Sequence, residues 1–231
     1  APLTAITNTS LLLQGTDAGI IDKAQVSSQL ILEADTKCSS TQAKYRSTAV
    51  YTDGTGDRIK FGIGNDVVCN WGDGGQPFTV EWWQYDEMPS TTNHMIGPAC
   101  GGGAGAWNST NGHQFMAFFY SSTFYLQYYG TNNSHNTITG TPSTMGFVQN
   151  QWQHCAHTFD GTTWKFYIDG TEALSGTLGN TPQAIIAPFI SLGAMADSTY
   201  YTSAYYDDVR ITKGLVRYTA NFTAPTAALQ G

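Results

Sequence analysis

Carboxylates are the first residues to test for chemistry. Retaining glycoside hydrolysis needs two carboxyl groups about 5–5.5 Å apart on one wall of a cleft. The aromatic run Phe78–Tyr85 and the residues after it offer Glu81, Asp86 and Glu87. In an extended strand Glu81, Trp83 and Tyr85 share a face, and Asp86 points the other way. Glu87 returns to the Glu81 face only about 20 Å further along. No two of these groups come close enough, so Glu81 reads as a structural strand carboxylate. No catalytic residue is assigned, and the chain is expected not to be an enzyme.

Other reactive types fail on spacing. His154 and His157 would share a helix face, but on a strand a three-residue spacing sends them to opposite sides. Both read as core or surface histidines, and His94, His113 and His135 read as solvated turn residues. Gly101-Gly102-Gly103-Ala104-Gly105 lacks the Lys-Ser/Thr that a phosphate-binding loop requires. No Ser or Cys stands in a nucleophile elbow. Cys38, Cys69, Cys100 and Cys155 form no CxxC, which weakens zinc and dithiol readings. Buried free thiols and one or two disulfides both remain open, and no pairing is legible.

Two polar or aromatic groupings remain. Asp207 and Asp208 are the best acidic pair, with one expected on the core side beside Val209 and an ion pair to Arg210 as the structural reading. Tyr200, Tyr201, Tyr205 and Tyr206 cluster before the last strand-like run, and Trp71 and Trp107 lie in loop-like stretches. Exposed aromatics in a neutral setting stack on sugar faces or anchor interfaces, and core packing is an equal reading. Trp71, Trp107, Tyr200, Tyr201 and Tyr205 are the ligand-binding candidates.

The elements that must position these residues are strands. Short β-prone runs alternate with Gly, Asn, Asp, Ser and Pro. The expected strands are Leu11–Leu13, Gln29–Glu33, Ser47–Thr52, Arg58–Phe61, Phe78–Tyr85, His113–Tyr120 and Thr123–Tyr129. They continue with Gln151–Asp160, Thr163–Asp169, Thr171–Ser175, Phe189–Leu192 and Tyr205–Ile211. Turns are expected at Asp53–Asp57, Ser121-Ser122, Gly161 and Asp169-Gly170. Long loops are expected at Cys69–Pro77, Met88–Asn111, Gly130–Gly146 and Ala194–Ser203. Ala24–Leu32 is the least poor helix candidate. With turns rather than helical crossovers between strands, the fold class is all-β: an antiparallel two-sheet sandwich. No linker is visible, so residues 1–231 read as one domain.

Composition narrows the partners. The 231 residues carry 10 Lys+Arg against 17 Asp+Glu, a net charge of −7. That balance excludes a phosphate-binding groove, which needs cations to displace counterions, and a polybasic membrane contact. No run approaches a membrane span, and no signal peptide is read from Ala1 onward. Only 12% of residues are charged and 13% are aromatic, which describes a neutral, hydroxyl-rich surface over a large core.

Five blocks in order resemble one family. Ala49-Val50-Tyr51-Thr52-Asp53-Gly54-Thr55-Gly56-Asp57 resembles the strand-turn of laminin-G-like domains of the concanavalin A-like superfamily. Phe78-Thr79-Val80-Glu81-Trp82-Trp83, Trp152–Thr158 and Phe166-Tyr167-Ile168-Asp169-Gly170 are similar to three further strands of that family. The block Tyr206–Thr226 is similar to the closing strand and tail of laminin-G-like domains common in bacteriophage virion proteins.

The resemblance implies a jelly-roll sandwich of about a dozen strands. It implies a phage structural or decoration protein on the virion surface, head or tail, assembled in the bacterial host cytoplasm. Its partners would be other virion proteins and copies of itself, with Ala1–Ser10 holding a neighbour. The alternative is a carbohydrate- or host-receptor-binding module of a tail fibre or spike, with host-surface glycans as partners. Glucanase relatives carry alternating carboxylates along one strand, and Glu81, Asp86 and Glu87 depart from that pattern. Several relatives hold calcium at a sandwich rim. By that analogy Asp207 and Asp208 are metal candidates, with Asp53, Asp57, Asp66, Asp73 and Asp197 looser ones. Calcium takes six to eight oxygens, and no complete shell can be assembled, so no cofactor is expected.

Overall fold

The computed structural model describes residues 9–16, 19–22, 29–61, 75–101, 113–177, 179–183, 189–195 and 199–229. Of the N-terminal half these give β1 (Thr9–Thr16), β2 (Gly19–Asp22), β3 (Leu30–Glu33), β4 (Lys37–Ser39), β5 (Ala49–Asp53), β6 (Arg58–Phe61), β7 (Phe78–Asp86), β8 (His94–Met95) and β9 (Ala99–Gly101). Then follow β10 (His113–Tyr120), β11 (Thr123–Tyr129), β12 (His135–Gly140), the helical turn α1 (Pro142–Met145), β13 (Trp152–Phe159), β14 (Thr163–Ile168), β15 (Thr171–Thr177), β16 (Phe189–Leu192) and β17 (Ser203–Lys213). No helix among the described residues is long and apolar enough to cross a membrane.

The strands form two antiparallel sheets. The first runs β15-β14-β13-β7-β17-β1-β2, with β5 and β4 continuing from β17. The second runs β12-β11-β10-β9-β16-β6-β3, with β8 pairing β10. The Asp53–Asp57 turn therefore carries the chain from one sheet to the other. Thr55 N–H bonds Asp53 Oδ1 at 2.6 Å, and Gly54 and Gly56 take positive φ of 83° and 85°. Asp169 and Gly170, at φ 49° and 80°, join β14 to β15, and Ser121 and Ser122, at 47° and 64°, join β10 to β11. Paired left-handed residues match the right-handed twist of the strands they connect.

Alternation builds the core. Phe78, Val80 and Trp82 of β7 point inward with Cys155 and Phe159 of β13 and Trp164, Phe166 and Ile168 of β14. They meet Phe115, Ala117, Phe119, Phe124, Leu126 and Tyr128 of the other sheet. Tyr128 stacks on Trp164 at 4.7 Å, and Phe124 meets Phe166 at 4.8 Å. The fold is thus the expected all-β sandwich of two antiparallel sheets around one core.

Some strands escape sequence reading. β12 occupies His135–Gly140, inside the expected Gly130–Gly146 loop, because it pairs with β11 over six positions. β8 and β9 interrupt the expected Met88–Asn111 loop. The strand expected at Gln29–Glu33 does form, as β3 held by β6, so the C-terminal part of the Ala24–Leu32 helix candidate is strand. Trp71, Trp107, Cys69, Asp66, Asp73 and Asp197 lie outside the described residues, as do residues 1–8 and 102–105.

Candidate functional site

From Phe115 to Tyr120 neither face of β10 is polar. Phe115, Ala117 and Phe119 face the core, and Met116, Phe118 and Tyr120 face outward from the second sheet. Tyr125 of β11 stands opposite Phe118 in register, and their rings stack at 5.0 Å and 14°. Tyr200 arrives from the loop before β17. Its ring is 5.6 Å from Phe118 and 6.2 Å from Tyr120, and Tyr120 lies 6.3 Å from Tyr125. Met95, Ala99, Met116 and Met195 form the apolar floor.

This platform is open. Tyr120 is 44% exposed, and Tyr125 and Tyr200 are partly exposed. Along one side Gln127 Nε2 bonds Thr137 Oγ1 at 2.7 Å, and Thr139 pairs with Tyr125 across the ladder. Tyr200 takes φ 54°, a left-handed conformation unusual for a bulky residue. It is held there by Met95, whose N–H bonds the Tyr200 carbonyl at 3.1 Å. Thr202 Oγ1 accepts the same N–H at 3.1 Å and donates to the Met95 carbonyl at 2.9 Å. Such strain persists only where the surroundings fix it, and it clusters at functional sites.

The sequence-derived candidates separate. Tyr200 joins the platform. Tyr205 is 5% exposed on the outer face of the first sheet, against Tyr51 at 4.6 Å and Tyr85 at 5.9 Å. Tyr201 is partly buried and belongs to neither cluster, and Tyr206 is a core side chain. Sequence reading missed Phe118, Tyr120 and Tyr125. The signal was present in Phe115-Met116-Ala117-Phe118-Phe119-Tyr120, a run apolar at both parities, where one buried face needs only one.

Glu81 is a fully buried carboxylate. Its Oε1 accepts Arg210 Nε at 2.9 Å and Nη2 at 2.6 Å, with Arg217 Nε at 3.8 Å. Its Oε2 accepts the Tyr218 hydroxyl at 2.7 Å and faces His154 Nε2 at 3.3 Å. Burial pushes this carboxyl up, but His154 and Arg210 outweigh it and hold the pKa at about 2. Segment 214–229 covers this face. Tyr218 and Phe222 stack at 3.6 Å over His154, and Lys165 Nζ donates to the Thr219 carbonyl at 3.0 Å.

Asp207 and Asp208 do not pair with Arg210, which Glu81 engages. A bulge in β17 sends both carboxylates to Arg46, whose Nη1 donates to each, at 3.1 Å for Asp207. Asp207 Oδ2 also accepts Tyr45 N–H, and Asp208 Oδ2 accepts Leu229 N–H. Burial, then the neighbouring Asp207, pushes Asp208 up to about 6. A calcium ion held by this pair would have to displace the Arg46 guanidinium. Asp53 and Asp57 meet Asp35 with oxygens within 4.8 Å. Both Asp57 oxygens already accept backbone N–H groups, from Asp35 and Asp53.

The histidines correct one expectation and bear out another. His94 is fully buried, between the Thr92 carbonyl and Asp86 Oδ2, each at 2.9 Å. His154 and His157 do face opposite sides, and His157 sits among Phe78, Phe115 and Trp164. Among the described residues Cys38, Cys100 and Cys155 are free thiols.

The family model of the concanavalin A-like lectin/glucanases superfamily described as Laminin_G_3 matches residues 53–216. The chain belongs to this family. The laminin-G-like domain is also similar in fold to solved toxin domains. The botulinum neurotoxin serotype G binding domain superposes with TM-score 0.65 at 13% identity, covering 94% of this chain and 49% of that one. The receptor binding domain of the botulinum neurotoxin C/D mosaic serotype gives 0.64 at 14% identity, covering 94% and 49%. The serotype D ligand binding domain in complex with N-acetylneuraminic acid gives 0.64 at 12% identity, covering 90% and 48%. This laminin-G-like domain thus spans about half the length of the solved chains. No curated protein matches it in sequence.

Proposed function

We propose that this chain is a non-catalytic carbohydrate- or receptor-binding module, and that the Phe118, Tyr120, Tyr125 and Tyr200 platform is its binding surface. The observation that carries this reading is the ring set itself. Three partly exposed tyrosines surround a stacked phenylalanine on a rigid sheet, and one of them is held in a strained backbone conformation. Aromatic faces bind the apolar C–H face of a sugar while the hydroxyls stay wet. The absence of catalysis in this reading follows from Glu81, engaged by Arg210 and Tyr218 beneath the tail. The toxin domain solved with N-acetylneuraminic acid supports it as a fold-level analogy.

A second reading places the module on a phage virion, head or tail, assembled in the bacterial cytoplasm beside other virion proteins and copies of itself. The closing block Tyr206–Thr226 favours it, by its likeness to phage proteins. The two readings are compatible, with the platform turned toward host-surface glycans. Neither needs calcium, nucleic acid or a membrane contact.

The test is binding of the purified chain to host-surface polysaccharide. Tyr120→Ala and Tyr125→Ala are expected to abolish it while the chain stays folded, its unfolding midpoint lowered only by the lost ring packing. Binding that survives both substitutions would sink the platform reading. A chain seen by cryo-electron microscopy with the platform buried between virion subunits would favour a purely structural role.

A further inference from the structure

Whether a sugar site takes anions depends on whether a cation reaches it. The whole chain has 10 Lys+Arg, so their positions can be followed one by one. Lys37, Lys165, Arg210 and Lys213 stand on strands of the first sheet. Lys44, Arg46 and Arg217 lie against that sheet, bound to Trp83, Asp207 and Thr212. Lys23 lies outside the described residues. Among the described residues only Arg58 and Lys60, on β6, belong to the second sheet.

These two do not reach the rings as free charges. Two strands, β9 and β16, separate β6 from β10, which amounts to about 14 Å across the sheet. Both side chains form ion pairs with Glu33. Arg58 comes nearest, because its Nη1 donates to the Met195 carbonyl at 2.9 Å beneath the platform. It is only 3% exposed, and its Nε is bonded to Glu33 at 2.7 Å. The polar groups that β11 and β12 set beside Tyr125 are neutral: Gln127, Thr137 and Thr139.

Ring faces carry negative potential. An anion laid on them is repelled unless a cation offsets the ring quadrupole, whereas the C–H face of a pyranose is attracted. The net charge of −7 adds long-range repulsion of anionic glycans. We infer that the platform selects uncharged saccharides and excludes sialylated or sulfated ones. This rests on the glycan-binding reading and adds its ligand class.

The experiment uses the intact chain and two panels at physiological salt. The neutral panel is lactose, maltohexaose, cellohexaose and chitohexaose, and the anionic panel is sialyllactose and heparin hexasaccharide. The expected result is binding to at least one neutral sugar, weakened about tenfold or more by Tyr120→Ala and unchanged between about 0.1 and 1 M salt. Thr139→Arg, which puts a cation beside Tyr125, is expected to bring sialyllactose into the measurable range. Sialyllactose or heparin bound by the unaltered chain and lost in Tyr120→Ala overturns the ligand class and leaves the glycan reading standing. No binding in either panel, or binding indifferent to Tyr120→Ala, overturns the glycan reading and this inference together.

Discussion

Arg210 grips Glu81 from the adjacent strand, with Nε at 2.9 Å and Nη2 at 2.6 Å on the same oxygen, Oε1. Tyr218, from the tail, bonds the other oxygen at 2.7 Å. The pair thus ties a central strand, the closing strand and the tail into one unit. Breaking one half of a buried ion pair leaves the other charge uncompensated. Glu81→Leu should therefore cost ~3–5 kcal/mol in urea unfolding. Glu81→Leu combined with Arg210→Met should recover much of that loss, and a double variant no more stable than the single one would show that the pair is not the source.

Gly170 occupies φ 80°, and a Cβ there would overlap the Phe222 carbonyl. Phe222 N–H bonds the Gly170 carbonyl at 2.9 Å. Gly170→Ala should cost ~1–3 kcal/mol in backbone strain and loosen the tail. Limited proteolysis should then cut within 214–229 faster than in the parent chain.

Acid stability has a defined sign. His157 is buried neutral, its pKa pushed down from 6.5 to about 3 by burial. The unfolded chain binds that proton first, so this contribution is full above pH 6.5 and is lost as pH falls toward 3. The slope is up to ~1.4 kcal/mol per pH unit. Glu81 adds a loss as pH falls from about 4.5 through 2. Asp208, raised to about 6, opposes both between 3.8 and 6. His157→Phe should flatten the fall in unfolding free energy between pH 6.5 and 5, and an unchanged slope would refute the assignment.

Arg46 is the counter-charge for Asp207 and Asp208. Without it both carboxylates stay buried and crowded. Arg46→Met should destabilise the chain more at pH 8, where Asp208 is ionised, than at pH 5, where it is mostly protonated. Chemical denaturation at the two pH values measures the difference, and equal losses would argue against the ion pair.

Tyr200→Gly relieves a left-handed tyrosine, worth ~1–3 kcal/mol, and removes ring packing worth ~0.5–1.5 kcal/mol. Stability should stay within roughly 1–2 kcal/mol of the parent while sugar binding falls. A variant that keeps full affinity would exclude Tyr200 from the site.

Much of the sandwich was legible in residue order. Strand alternation in Phe78–Tyr85, the Asp169-Gly170 and Ser121-Ser122 turns, and the opposite facing of His154 and His157 are local properties that two-residue periodicity dictates. The same periodicity separated Glu81 from Asp86. The composition fixed an aromatic core and an acidic chain whose ten basic residues can be followed one by one.

Pairings between distant strands required the tertiary structure. Arg210 faces Glu81 rather than Asp207 because a bulge in β17 shifts the register, and a bulge leaves no mark in composition. His94 is buried because Asp86, eight residues earlier, turns to meet it. Tyr200 and Tyr205 part to opposite sides of the sandwich, although five positions separate them, because the chain enters β17 between them. Tyr120, Tyr125 and Tyr200 converge because strand pairing and a pinned loop bring distant residues within about 6 Å, a distance over which aromatic rings interact.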